Sequence, residues 1–391
     1  MPSTQPTSPH AAAPHPPSAA APPTSAELTA ARAGCRRFVQ GGPPTTMADV
    51  LHALAASSGS DDVDLYGDGG DVTALEREVA ELLGKPAAVF MPSGTMAQQC
   101  ALRGWSDRTG HRAVALHGLS HLVLHEDRAL EELHGIRMRE LTREVRPLLA
   151  ADLATHPGPL GALSVELPLR DAGYLLPTWA ELTALTDAAR ERGVPVHLDG
   201  ARLWESQPYY ERPHAEIAAL ADSVYVSFYK GLGAVPGALA GAVLAGPEDV
   251  VTEARRWRHR HGGTLFTAAP FARLAREGLR TRLYGFGDQL RQAQAVAAAL
   301  GDVEGLRVPA EAPRANGFLL HLDASPPAVL RAVLEVARTD RIWTLRRPWA
   351  AEVPGWSVTE FVADAATVGW APAEVAAVLG RVVRRARELD A

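Results

Sequence analysis

The chain has 391 residues, a formal charge of −6 and a pI near 6.2, with 47% hydrophobic and 21% charged residues, which suits a globular protein with a large core. No basic block concentrates Lys and Arg as a binder of nucleic-acid phosphates would, and no apolar run reaches the ~18 residues that span a bilayer. The first residues lack the charged start and apolar stretch of a secretory signal, so the expected address is the cytoplasm, and the two cysteines, Cys35 and Cys100, read as plain buried thiols.

Residues 1–26, rich in Pro, Ala, Ser, Thr and His without apolar period, read as a disordered extension. From residue 27 helix-like stretches such as TALEREVAELLG alternate with short apolar runs: AAVFM, RAVAL, GALSVEL, VPVHLD, DSVYVSF and GALAGAVLAG. That alternation predicts an α/β fold with a mostly parallel central sheet and flanking helices over 27–275, the N-terminal segment included. Helical segments at 249–300 follow, then the apolar runs GFLLHLD, RIWTL and WSVTEFVAD and the amphipathic APAEVAAVLGRVVRRAREL, which predict a smaller α+β domain over 276–391.

Along this scaffold, VFMPSGTMAQQ runs from an apolar strand into Pro-Ser-Gly-Thr and a helix-forming segment. Free N–H groups and the positive helix end there form an anion cradle, with Gly94 allowing close approach and Ser93 or Thr95 adding a hydroxyl. An ordinary N-capped helix would give the same local sequence. In VPVHLDGARLW, Asp199 falls at the carboxyl end of a buried strand, where ligands of open parallel sheets collect, and needs a partner to offset its desolvation. Arg202 could be that partner. Alternatively Asp199 faces a protonated ring nitrogen and Arg202 grips a carboxylate or a ring hydroxyl.

The basic residues are almost all arginine: of 39, only Lys85 and Lys230 are lysine. An arginine cannot form an imine or readily lose its proton. Lys85, behind ALEREVAELLG, suits a helix C-terminus. Lys230, in DSVYVSFYKGLGA, follows a buried strand and precedes a Gly-Leu-Gly turn that leaves room for a bulky ligand. An apolar setting there lowers the amine pKa. Cradle, strand-end Asp and strand-end Lys, in that order, are the parts pyridoxal 5'-phosphate requires: N–H donors for phosphate, an acid for the ring nitrogen, an amine for the carbonyl.

With these residues in place, the chain resembles the threonine aldolase and β-eliminating lyase family of fold-type I pyridoxal phosphate enzymes. The likeness spans residues 35–385 and is densest at DLYGDGGDVTALEREVAELLGKPAAVFMPSGTMAQQ, SHLVLHED, HLDGARLW and SFYKGLGA. It implies that Lys230 carries the coenzyme as an imine, Asp199 partners its ring nitrogen and Gly94 with Thr95 holds its phosphate. His121 would stack on the ring, and Arg202 would lie near the substrate carboxylate. Family members are homo-oligomers with shared sites, so a homodimer or homotetramer is implied, with Tyr66 and Arg258 or Arg260 reaching a neighbour's coenzyme.

Two positions depart from the family pattern. Where aldolases carry Glu-Asn-Thr-His-Asn, this chain reads Glu166-Leu167-Pro168-Leu169-Arg170, so Leu169 replaces the histidine that holds the substrate's β-hydroxyl. Where the family places a C-terminal arginine for the substrate carboxylate, Thr359 or Glu360 stands, and Arg170, Arg346 or Arg347 would have to substitute. For Arg346 and Arg347 surface charge is the preferred account. The function implied is retro-aldol cleavage of a β-hydroxy-α-amino acid to glycine, or an analogue, and an aldehyde, with His121 as ring support and base. The alternatives are β-elimination, a non-catalytic coenzyme-fold binding protein, and a lysine-poor α/β protein without coenzyme.

Overall fold

The computed structural model describes residues 22–57, 59–233 and 239–391. In chain order the strands are β1 (Arg37–Phe38), β2 (Ala87–Met91), β3 (Ala113–Leu116), β4 (Arg137–Glu140), β5 (Ala162–Glu166), β6 (Val196–Gly200), β7 (Ser223–Ser227), β8 (Ala242–Gly246), β9 (Leu306–Arg307), β10 (Gly317–Leu322), β11 (Ile342–Trp343), β12 (Trp349–Ala350) and β13 (Ser357–Val362). Seven of them form one sheet in the order β2-β8-β7-β6-β5-β3-β4. Only β8 runs antiparallel to its neighbours. The polar Arg137–Glu140 segment carries no apolar signal and escapes sequence reasoning because it is the exposed edge strand.

Both faces of the sheet are covered. Along β2, Ala88 and Phe90 join the core beneath the helix Gly70–Leu83, while Val89 and Met91 pack with Ala97, Cys100 and Ala101 of the helix Gly94–Thr109. Strands buried on both sides are continuous apolar runs, which is why β6 and β7 stand out in the sequence. The chain ends of β2, β3, β5, β6 and β7 therefore open onto one rim, the place where open α/β sheets bind ligands.

The smaller unit is a four-stranded antiparallel sheet, β12-β13-β10-β9, packed on helices Phe286–Leu300, Pro326–Thr339 and Pro372–Asp390. The division differs from the expected 27–275 and 276–391. Helix Ala269–Arg282 still belongs to the large core through Ala272, Ala275 and Leu279, and the crossing falls within the helix Phe286–Leu300. The N-terminal segment, expected with the large domain, joins the small one: β1 pairs in parallel with β11, and Val39 lies in its core. The first helix, Ser25–Ala33, starts inside the expected extension and takes up its last two residues, because Thr24 and Glu27 form a reciprocal cap. Residues 1–21 lie outside the described residues. Among the described residues no helix is long and apolar enough to cross a membrane. Cys100 is buried, with its thiol pushed up to about 12 by that burial, whereas Cys35 is only partly covered.

Candidate active site

At the end of β2 the chain turns through Ser93 into the helix Gly94–Thr109. Ser93 is the N-cap, its Oγ accepting from the Met96 N–H at 3.2 Å, so its hydroxyl is already engaged. The Gly94 N–H donates to Tyr229 Oη at 3.3 Å, and a Cβ on Gly94 would overlap Tyr225 Oη. Glycine is required here by a close approach of two tyrosines. Thr95 is exposed in the first turn, where backbone N–H groups and the helix dipole favour an anion.

Asp199 ends β6 with 3% exposure. Its Oδ1 accepts from the Ala201 N–H at 3.1 Å and its Oδ2 from Gln98 Nε2. Arg202 does not pair with it. Burial pushes the Asp199 carboxyl up, against the opposing charge of Lys230. Lys230, just past β7 and half-buried, is pulled down by desolvation and by Arg202, with Asp199, Glu166 and Glu205 acting the other way. Each group thus acts on the other's charge, Asp199 from β6 and Lys230 from the segment just past the neighbouring parallel strand β7. Lys85 has a plain role: its amine donates to the Ala221 carbonyl at 2.6 Å.

His121 opens a short helix after β3. Its Nδ1 lies 3.2 Å from Glu126 Oε1, and Glu126 Oε2 accepts from Gln99 Nε2 at 2.8 Å. The Glu126 hydrogen bond holds the imidazole above its ordinary pKa. Glu166, at the end of β5, takes the His121 N–H at 2.7 Å and the Arg170 N–H at 3.2 Å. Burial, with the Asp199 charge beside it, pushes Glu166 up.

Among the described residues, Arg202, with a side chain 12% exposed, has a long contact to Glu205 (3.4 Å), lies 5.3 Å from the Tyr174 ring centre, and has a buried Nε without a partner. Arg170 is engaged: Nε lies 2.6 Å from Glu360 Oε1, and Nη1 lies 3.4 Å from Asp171. Glu360 itself is paired, by Arg170 and, at 3.5 Å, by Arg346, so its negative charge is offset. Thr359 is buried and donates to the Arg346 carbonyl, and Leu169 is buried. Arg347 is exposed.

Tyr66 does not reach this rim within its own chain. It is 56% exposed and stacks edge-on against Phe266. Arg258 is buried within this chain, donating to the Phe90 carbonyl at 2.9 Å, and Arg260 is an exposed partner of Glu253. Sequence reasoning passed over Gln98, Gln99, Glu126, His197, Glu205, Tyr225 and Tyr229. The only available signal was spacing: polar residues at helix positions 98 and 99, and His197 two residues before Asp199 on the same strand face.

Residues 43–324 match the model of the beta-eliminating lyase family. A putative aromatic amino acid beta-eliminating lyase/threonine aldolase from Exiguobacterium superposes with a TM-score of 0.84 at 34% identity, covering 92% of this chain and 99% of that one. A putative L-allo-threonine aldolase from Listeria monocytogenes gives 0.82 at 33% identity, covering 93% and 99%. The aldolase vrtJ of Penicillium aethiopicum is 34% identical over 245 residues, 60% of this chain and 61% of its own length.

Proposed function

Because the chain belongs to the beta-eliminating lyase family, we propose that its sheet rim holds pyridoxal 5'-phosphate and cleaves a β-hydroxy-α-amino acid to glycine, or an analogue, and an aldehyde. The observation that carries this reading is that Lys230 just past β7, the buried Asp199 on the neighbouring β6 and the helix start at Gly94 lie on one rim of the sheet. The residues fit the coenzyme: Gly94 sits where a side chain could not, and the buried Arg202 Nε awaits an acceptor.

When bound, the coenzyme supplies an electron sink conjugated to the substrate's Cα. Lys230 holds it through an amine whose desolvation favours the uncharged nucleophile. Asp199 would keep the ring nitrogen protonated, and the helix start at Ser93, Gly94 and Thr95 would hold the phosphate, with the Gly94 N–H turning to it from Tyr229. His121, with Nδ1 fixed by Glu126, would cover the ring and take the β-hydroxyl proton on its other nitrogen. Arg202 pairs with the substrate carboxylate, and Arg170, oriented by Glu360, presents a second guanidinium. The exposed surface at Leu65, Tyr66 and Phe266 suits a second copy of the chain, and in a homodimer or homotetramer Tyr66 would reach a neighbour's site.

One feature favours a second reading, β-elimination: buried Leu169 offers nothing to hold a β-hydroxyl. The test is to add the coenzyme, record the visible spectrum, and supply β-hydroxy-α-amino acids. Glycine with an aldehyde supports cleavage, and a 2-oxo acid with ammonia supports elimination. A wild-type protein that gains no visible band, or a Lys230→Ala variant that keeps it, overturns both.

A further inference from the structure

We propose that Trp105, Ser223, His197 and Gln98 form a one-way line of hydrogen bonds that fixes the charge and orientation of Asp199, with Gln98 and His197 as positioning residues for the acid facing the coenzyme's ring nitrogen. This rests on the coenzyme reading above.

The direction of the line follows from the donor inventory. The Trp105 indole can only donate, and its Nε1 lies 2.8 Å from Ser223 Oγ. Ser223 in turn gives its proton to His197 Nδ1 at 2.8 Å. His197 is fully buried, and that burial drives it down to about 3, so the imidazole is neutral and its one proton sits on Nε2. Nε2 lies 2.7 Å from Gln98 Oε1, which turns the Gln98 Nε2 toward Asp199 Oδ2. The line ends on a carboxylate whose other oxygen already accepts from the Ala201 N–H. Two N–H donors, one on each oxygen, favour the ionised form against the burial that opposes it.

The placement is specific. Gln98 and Trp105 lie two turns apart on one face of the helix Gly94–Thr109, His197 and Asp199 share a face of β6, and Ser223 is the register partner of His197 on β7. An amide, an imidazole and a hydroxyl in a sheet–helix core are costly unless each is satisfied, and here each is. The other groups acting on Asp199 are Lys230 and Tyr225 from β7 and its end, His121 and Glu126 from the segment after β3, and Glu166 from β5.

The test uses the full-length protein loaded with pyridoxal phosphate, its visible band titrated with pH. Gln98→Leu removes a donor to Asp199, so the carboxylate becomes more basic, draws the ring nitrogen's proton toward itself and leaves the ring less cationic. Less electron density is then drawn from the imine nitrogen, and the titration midpoint moves to higher pH. Coenzyme affinity falls about tenfold, the worth of one hydrogen bond to a charged group. Ser223→Ala, which frees the His197 tautomer, moves the midpoint the same way by less. The melting temperature of each coenzyme-free variant reports any purely structural effect separately. An unchanged midpoint in folded Gln98→Leu, or in Ser223→Ala should Gln98→Leu not fold, overturns the proposal while leaving the coenzyme reading intact. Absence of a visible band in the wild type overturns both.

Discussion

Arg170 on the large domain and Glu360 on β13 of the small domain meet with Nε 2.6 Å from Oε1, an ion pair that ties the two units at the edge of the site. The Glu360 side chain is 9% exposed and has Arg346 as its second partner. Removing one member of a nearly buried pair leaves the other uncompensated. Arg170→Ala is therefore expected to lower the melting temperature and to reduce kcat/KM by about 10- to 100-fold, through lost orientation and a lost guanidinium. A double-mutant cycle with Glu360→Gln should give a coupling of about 1–3 kcal/mol. Additive effects of the two changes would remove Glu360 from any role in placing Arg170.

Gly94→Ala tests the cradle. The added methyl overlaps Tyr225 Oη and comes within reach of Tyr229 Oη, so the first turn of the helix must move away from both rings. The expected result is coenzyme binding weakened by about 100-fold with little change in the melting temperature of the coenzyme-free protein, since the helix beyond its first turn keeps its packing. Spectrophotometric titration with pyridoxal phosphate measures it. Unchanged affinity would place the phosphate elsewhere.

Glu126→Gln tests how His121 is tuned. The hydrogen bond from Glu126 leads the causes that raise the imidazole, with burial opposing it and Asp199 and the Glu126 charge adding to it. A raised pKa keeps His121 protonated to higher pH, so its work as a base begins only as pH climbs through that value. Losing the Glu126 carboxylate lowers the pKa, and the rising limb of the pH–rate profile should move to lower pH. If that limb stays where it was, another group controls it.

Much of this site was legible in the sequence because buried parallel strands are written as apolar runs, and their last residues are then placed at the rim by topology alone. Lys230 and Asp199 are singled out that way, and the scarcity of lysine sharpens the first. What the sequence could not show were contacts between elements: Gln98 on a helix reaching a strand, Arg170 turning to Glu360, Glu126 holding His121 across a short turn. The N-terminal segment misled for a related reason. The two-residue ladder of β1 with β11 joins positions some three hundred residues apart and leaves no local periodicity to read.

Asp71, in the first turn of the helix Gly70–Leu83, lies fully buried beneath Arg273 and Arg276 of the helix Ala269–Arg282, at 2.8 and 2.6 Å. Burial pushes its carboxyl up, but the hydrogen bonds from both arginines and from the Ser60 N–H outweigh that and hold it below the ordinary value. Since the folded-state pKa is depressed, the stability this group contributes is fully present above its unfolded pKa of about 3.9 and is lost as pH falls through the folded value. Asp71→Asn should therefore cost about 2 kcal/mol at neutral pH by leaving two arginines without a shared anion. Its denaturant midpoint should also fall less steeply below pH ~4 than that of the wild type, because the variant has no proton to take up there. Urea unfolding at several pH values measures both, and parallel acid limbs for the two proteins would show that Asp71 is not the anchor between these helices.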